Sequence, residues 1–190
     1  MSIAAKHGIT ANTPENILLG AGVYYKNLQF SGSAWSGTIL GATSGGGKIS
    51  IVGEIINIEL DGALVKVKGL AVKQGGAAIA EVNFAEIKPD ILKLATLFKD
   101  GESEATGFNV LEDKANIEDG DYVENFGFVG HTVTGEPIIV IFENALCTSG
   151  LEVEPKGKEN AIVKLTLEAY ANNDSDLDKL PVKIYYPAAA

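Results

Sequence analysis

Apolar and polar residues alternate in short runs along most of the chain, separated by Gly, Asn and Asp, which is the pattern of an all-β protein. The first run predicts a strand over 22–30, with Val23 and Tyr25 on one face and Tyr24, Lys26 and Leu28 on the other. A long strand is expected over 48–60, where the alternation changes phase. Ile49 and Ile51 share one parity, whereas Ile56, Ile58 and Leu60 share the other, and Gly53 at the change predicts a bulge or bend. Asp61-Gly62 reads as a turn, 64–73 as a returning strand and, after Gln74-Gly75-Gly76, 78–87 as the third strand of a meander. Further strands are expected at 122–129, 137–146, 161–170 and 182–185. The run 138–142 is apolar on both faces and predicts burial on both. In 161–170, by contrast, Val163, Leu165 and Leu167 predict one covered face opposite Lys164, Thr166 and Glu168.

A single helix is predicted over 89–99. Pro89 suits the first helical position, Asp90 the positive end of the helix dipole, and Gly101 a terminating position. Ile91, Leu94, Ala95 and Phe98 form its apolar stripe. About eight strands and one helix imply a mainly β fold, an antiparallel β-sandwich or flattened barrel with a flanking helix. The 190 residues fit one domain, 1–190. Two segments lack periodicity: 1–20, which reads as an extended arm, and the Gly-, Ser- and Thr-rich stretch 31–47, which reads as a long loop carrying the sole tryptophan, Trp35.

Charge narrows the function. The chain has 25 acids, 15 lysines and no arginine, a net charge of −10. Arginine is the side chain best suited to phosphate forks and guanine edges, so its absence argues against tight nucleic-acid binding. The charge is also uneven: 1–80 holds six lysines and four acids, whereas 99–124 holds two lysines and nine acids. No apolar run approaches a membrane helix in length, and no apolar segment follows Lys6 as a secretory signal would require. The lone cysteine, Cys147, has no intrachain partner and suits a reducing compartment.

The candidate chemical motifs are incomplete. Gly41–Ile49 resembles a phosphate loop but has Ala42 and Ile49 where Gly and Ser or Thr are needed, and it leads into a strand. Asp174, Asp176 and Asp178 repeat the start of a calcium loop, but Lys179 and Tyr185 stand where Gly and Glu belong, so an acidic surface turn is expected. His7, His131 and Cys147 show no metal-ligand spacing, and Cys147 lies in a core-type run. No catalytic, cofactor-binding or metal residues are assigned, and the chain is expected not to be an enzyme.

Several segments, in their order, resemble the tail tube (major tail) proteins of long-tailed bacteriophages of the siphophage type. They are Leu18-Leu-Gly-Ala-Gly-Val-Tyr-Tyr25 followed by Leu40-Gly-Ala-Thr-Ser-Gly-Gly46, then Ile58-Glu-Leu-Asp-Gly62, and in the last third 137–146, 155–161 and 182–187. The resemblance implies a structural virion protein that closes into hexameric rings stacked as a tail tube, assembled in the host bacterial cytoplasm. Its partners would be other copies, the tape measure and tail-end proteins, and genomic DNA passing through the channel without tight or specific binding, with no cofactor and no membrane insertion. The arm at 1–20 and the loop at 31–47 are the expected bridges between rings, with Phe30, Trp35, Ile39, Leu40 and Thr43 as interface residues. Lys164, Thr166 and Glu168 are the expected channel lining. Two alternatives stay open: the tube of a contractile tail or secretion-like injection system, and a carbohydrate- or receptor-binding β-sandwich that uses Trp35.

Overall fold

The computed structural model describes residues 8–10, 12–155, 157–158 and 160–188. Ten strands and one α-helix follow in the order β1 (Leu18–Ser31), β2 (Ala34–Ile39), β3 (Thr43–Asn57), β4 (Ala71–Phe84), α1 (Pro89–Thr96), β5 (Lys99–Gly101), β6 (Val110–Glu112), β7 (Val123–Thr132), β8 (Pro137–Cys147), β9 (Val163–Tyr170) and β10 (Val182–Tyr185). Eight of them form one antiparallel sheet in the order β2-β1-β7-β8-β9-β4-β3, with β10 also on β8. Strands β5 and β6 make a small separate hairpin.

The sheet folds on itself because β8 serves two neighbours along one edge. Ile139–Phe142 pair with β10, and Asn144–Cys147 pair with β9. Between them the Glu143 N–H donates to the Pro181 carbonyl at 2.9 Å. One half is therefore β2-β1-β7-β8-β10 and the other β8-β9-β4-β3. Their inner faces share a core of Tyr24, Phe126, Phe128 and Phe142 from the first half with Val82, Phe84, Leu165 and Leu167 from the second. This is the mainly β, sandwich-like architecture that the alternation predicted.

The doubly apolar run 138–142 has a concrete cause. Val140 and Phe142 join the main core, whereas Ile139 and Ile141 join a second cluster with Leu28 on the opposite face of the same half. In a flat sheet β2 and β10 would stand about 19 Å apart, four strand spacings. Instead the rings of Trp35 on β2 and Tyr185 on β10 lie 4.8 Å apart. The register shift between Lys26 and Gln29, with Asn27 at φ 55, curls the β1–β2 hairpin over that face.

The structure corrects four expectations. The stretch 31–47 is largely strand, not loop: a turn at Gly32-Ser33 leads into β2, and β3 already begins at Thr43. The expected meander is a single hairpin, since Asn57 pairs with Ala71 and β4 runs unbroken through Gly75-Gly76. The first strand starts at Leu18, inside the expected arm, and Thr13–Asn16 forms a 3-10 turn; residues 1–7 and 11 of that arm lie outside the described residues. The helix ends at Thr96 because Leu97 takes a left-handed conformation and donates its N–H to the Lys93 carbonyl at 2.8 Å, a stop made before Gly101 is reached.

Helix α1 turns Ile91, Leu94 and Ala95 into the core and is tied to β1 by an ion pair between Asp90 and Lys26. Hydrogen bonding from Lys26 holds the Asp90 carboxyl below its ordinary range. A depressed carboxylate stabilises the fold above its unfolded value, about 3.9, and that contribution is lost as pH falls through the folded value. Because the Asp90 side chain is 57% exposed, Asp90→Asn is expected to cost about 0.2–1 kcal/mol at pH 6. Urea titrations of both chains should converge as the pH falls through the folded value, where the native carboxyl is protonated too.

Candidate assembly surfaces

The distal half of the β3–β4 hairpin leaves the core behind. From Ser50 to Gly76 no side chain is buried, although the segment is rich in Ile, Leu and Val. Ten large aliphatic residues in this arm are exposed, from Ile51 at 37% to Leu64 at 99%. Both faces of the ribbon carry them. Ile51 and Ile55 share one parity and Val52 and Ile56 the other, and Ile56 pairs with Val72. A two-stranded ribbon that is apolar on both sides is marginal alone in water, and exposed apolar patches of this extent mark interaction surfaces.

The root of the arm is built from glycine. Register shifts between Gly53 and Ile55, where β4 contains the extra residue. Gly76 sits there at φ 139, and a Cβ on it would lie 2.2 Å from the Val52 carbonyl oxygen, so no other residue fits. The bulge expected at Gly53 is thus present, with the inserted residue on the opposite strand.

A second apolar surface lies where β2, β1 and β10 converge. The Phe30 and Trp35 rings are 5.3 Å apart and Trp35 touches Tyr185 at 4.8 Å, while Ile39 is exposed farther along β2. Of the residues expected at an interface, Phe30 and Trp35 are in ring contact, whereas Ile39 lies four residues farther along β2 opposite Tyr25. Leu40 does not join them: its N–H donates to the Tyr24 carbonyl at 2.9 Å and its side chain is buried in the core. Thr43 is half-buried at the start of β3, paired with Phe84. Among the described residues β2, β3 and β10 each pair with one neighbour only, leaving open sheet edges.

Lys164, Thr166 and Glu168 lie on the outer face of β9. Their β4 neighbours are Asn83, Glu81 and Ile79, and Glu81 is bridged to Lys48 of β3 at 3.0 Å. Thr148 donates to Glu168 at 3.4 Å. This face is polar and of mixed sign. The acidic segment 99–124 is more ordered than a charge run suggests. Lys114 bonds Asp121 at 2.7 Å and Glu118 at 3.0 Å, with the Lys114 and Asp121 side chains only 10% and 8% exposed. Asp121 foremost holds the Lys114 ammonium above its ordinary range.

The remaining chemical candidates are not brought together. Cys147 is a buried core thiol at the end of β8, whereas His131 pairs with Pro137 at its start, roughly 30 Å away along the strand. His7 lies outside the described residues. Asp176 is engaged by Lys179 at 2.6 Å and accepts the Asp178 N–H. Among the described residues no group of three or more His, Cys, Asp or Glu is placed to hold a metal, and no helix is long and apolar enough to cross a membrane. Comparison of the sequence with protein-family models finds no match, and comparison with curated proteins finds none.

Proposed function

We propose that the chain is a structural subunit that works by polymerising with its own copies into rings and a hollow tube, as the tail tube proteins of siphophages do. The observation that carries this reading is the β3–β4 arm, a ribbon with exposed aliphatic residues on both faces and no cover from the other described residues. Such a ribbon is stable and soluble only when another surface closes over it. Open edges on β2, β3 and β10 supply further pairing sites, and closure into a ring removes edges as a barrel does. In this reading the polar, mixed-sign face of β9 and β4 suits a conduit that lets a polyanion slide without holding it, with no arginine to grip phosphate. The tube of a contractile tail or injection system uses the same physics and stays an alternative within this class.

The sugar-binding alternative is weaker on geometry. Trp35 is half-buried and engaged by the rings of Phe30 at 5.3 Å and Tyr185 at 4.8 Å, which leaves less of its surface free for a sugar to stack on. Electron microscopy and sedimentation of the purified chain test the proposal. Rings or tubes are expected at high concentration, and a protein that remains monomeric at millimolar concentration overturns it.

A further inference from the structure

We infer that the aliphatic arm of one copy seats on the aromatic-rimmed face of a second copy, the surface formed by Phe30, Trp35 and Tyr185 with Ile39 farther along β2. The inference rests on the assembly reading above and adds the surface that receives the arm.

Area comes first. A specific interface needs about 800 Å² from each partner, and the ten exposed aliphatic side chains, spread over both faces of the ribbon, supply a large part of it. Within one chain the arm and the aromatic-rimmed face both stay exposed, so neither covers the other. Arm-on-arm pairing is isologous and stops at a dimer, leaving the face around Phe30 open. Arm-on-face pairing covers one face of the arm together with the aromatic-rimmed face and repeats from copy to copy.

Charge selects the same pair. Two copies of a chain with net charge −10 repel over most of their surfaces. The arm, 51–76, carries three lysines and three acids and is neutral. The stretch 27–47 contains no charged residue at all, and 182–188 contains only Lys183. These two surfaces can meet without the repulsion that any approach to the acidic segment 99–124 incurs.

Complementary variants test the contact. An arm variant carries Leu64→Asp with Val65→Asp, and a face variant carries Phe30→Asp with Tyr185→Asp. All four positions are exposed, and circular dichroism checks that both chains fold. Each variant alone is expected to raise the concentration needed for assembly by about 100-fold, the scale of losing an interface hot spot. Mixed in equal amounts, they are expected to form heterodimers and go no further, because one intact arm still finds one intact face. A mixture that stays monomeric while the parent chain assembles overturns the pairing and leaves the assembly reading in place. So does a face variant that polymerises like the parent. If the parent itself never assembles, the assembly reading fails and the pairing fails with it.

Discussion

A chain in which residues 58–70 are replaced by Asn-Gly should fold as stably as the parent and lose the ability to polymerise. Asn57 and Ala71 already face each other in register, so two residues of a type I′ turn close the hairpin without changing any other pair. No side chain in 58–70 is buried, and the segment's own bonds are local, from the Ile58 N–H to the Leu70 carbonyl and from the Ala63 N–H to the Leu60 carbonyl. Removing them is expected to shift the unfolding free energy by no more than about 0.5 kcal/mol, as for surface changes remote from the core. The loss to assembly is far larger. The deletion removes Ile58, Leu60, Leu64, Val65 and Val67, half of the exposed aliphatic surface of the arm. Urea unfolding with an unchanged midpoint, together with sedimentation as a monomer where the parent gives large particles, is the expected pair of results. Particles of parental size from the shortened chain would show that the arm is not what holds copies together.

The legible parts of the sequence were those where burial follows periodicity. Strand β10 was placed to the residue, and the covered parity of β9 follows from Val163, Leu165 and Leu167. The apolar stripe of α1 was equally plain, although its end was set by Leu97 in a conformation that Gly or Asn usually adopts. Where hydrogen bonds alone make a strand, the pattern was silent. Strand β2 buries none of its residues and the start of β3 is mostly Gly, so Ser, Thr and Gly suggested a loop where edge pairing gives strands. Gly75-Gly76 misled for a related reason: the same freedom at positive φ serves a bulge as well as a turn. The aromatic-rimmed face needed the topology, because Trp35 and Tyr185 meet only through the curl of a five-strand half-sheet. The exposure of the arm was hidden for the most basic reason. Isoleucines in alternation look bound for a core, and nothing in the sequence says that the core ends near Ser50.

Phe126→Ala should be among the most damaging single changes in the chain, because Phe126 is the ring on which the aromatic core of the first half is built. It is fully enclosed on β7, with the Tyr24 ring of β1 stacked at 5.8 Å on one side and the Phe142 ring of β8 at 5.7 Å on the other. Cutting it to Ala removes the transfer free energy of the ring and leaves a cavity that two strands in a fixed ladder cannot close, at a cost of about 3–5 kcal/mol. Against the 5–15 kcal/mol typical of a domain this is a fifth or more of the total. Phe126→Leu keeps much of the volume and should cost distinctly less. The measurement belongs in the chain shortened at 58–70, since any assembly would stabilise the folded state by mass action and mask the loss. In that background the Ala variant is expected to show a lowered urea midpoint with an unchanged slope, the sign of lost stability without a changed unfolded state. A cost below about 1 kcal/mol would mean that Phe126 is not packed between β1 and β8. The curled half-sheet that presents Phe30, Trp35 and Tyr185 would then lack the foundation assigned to it.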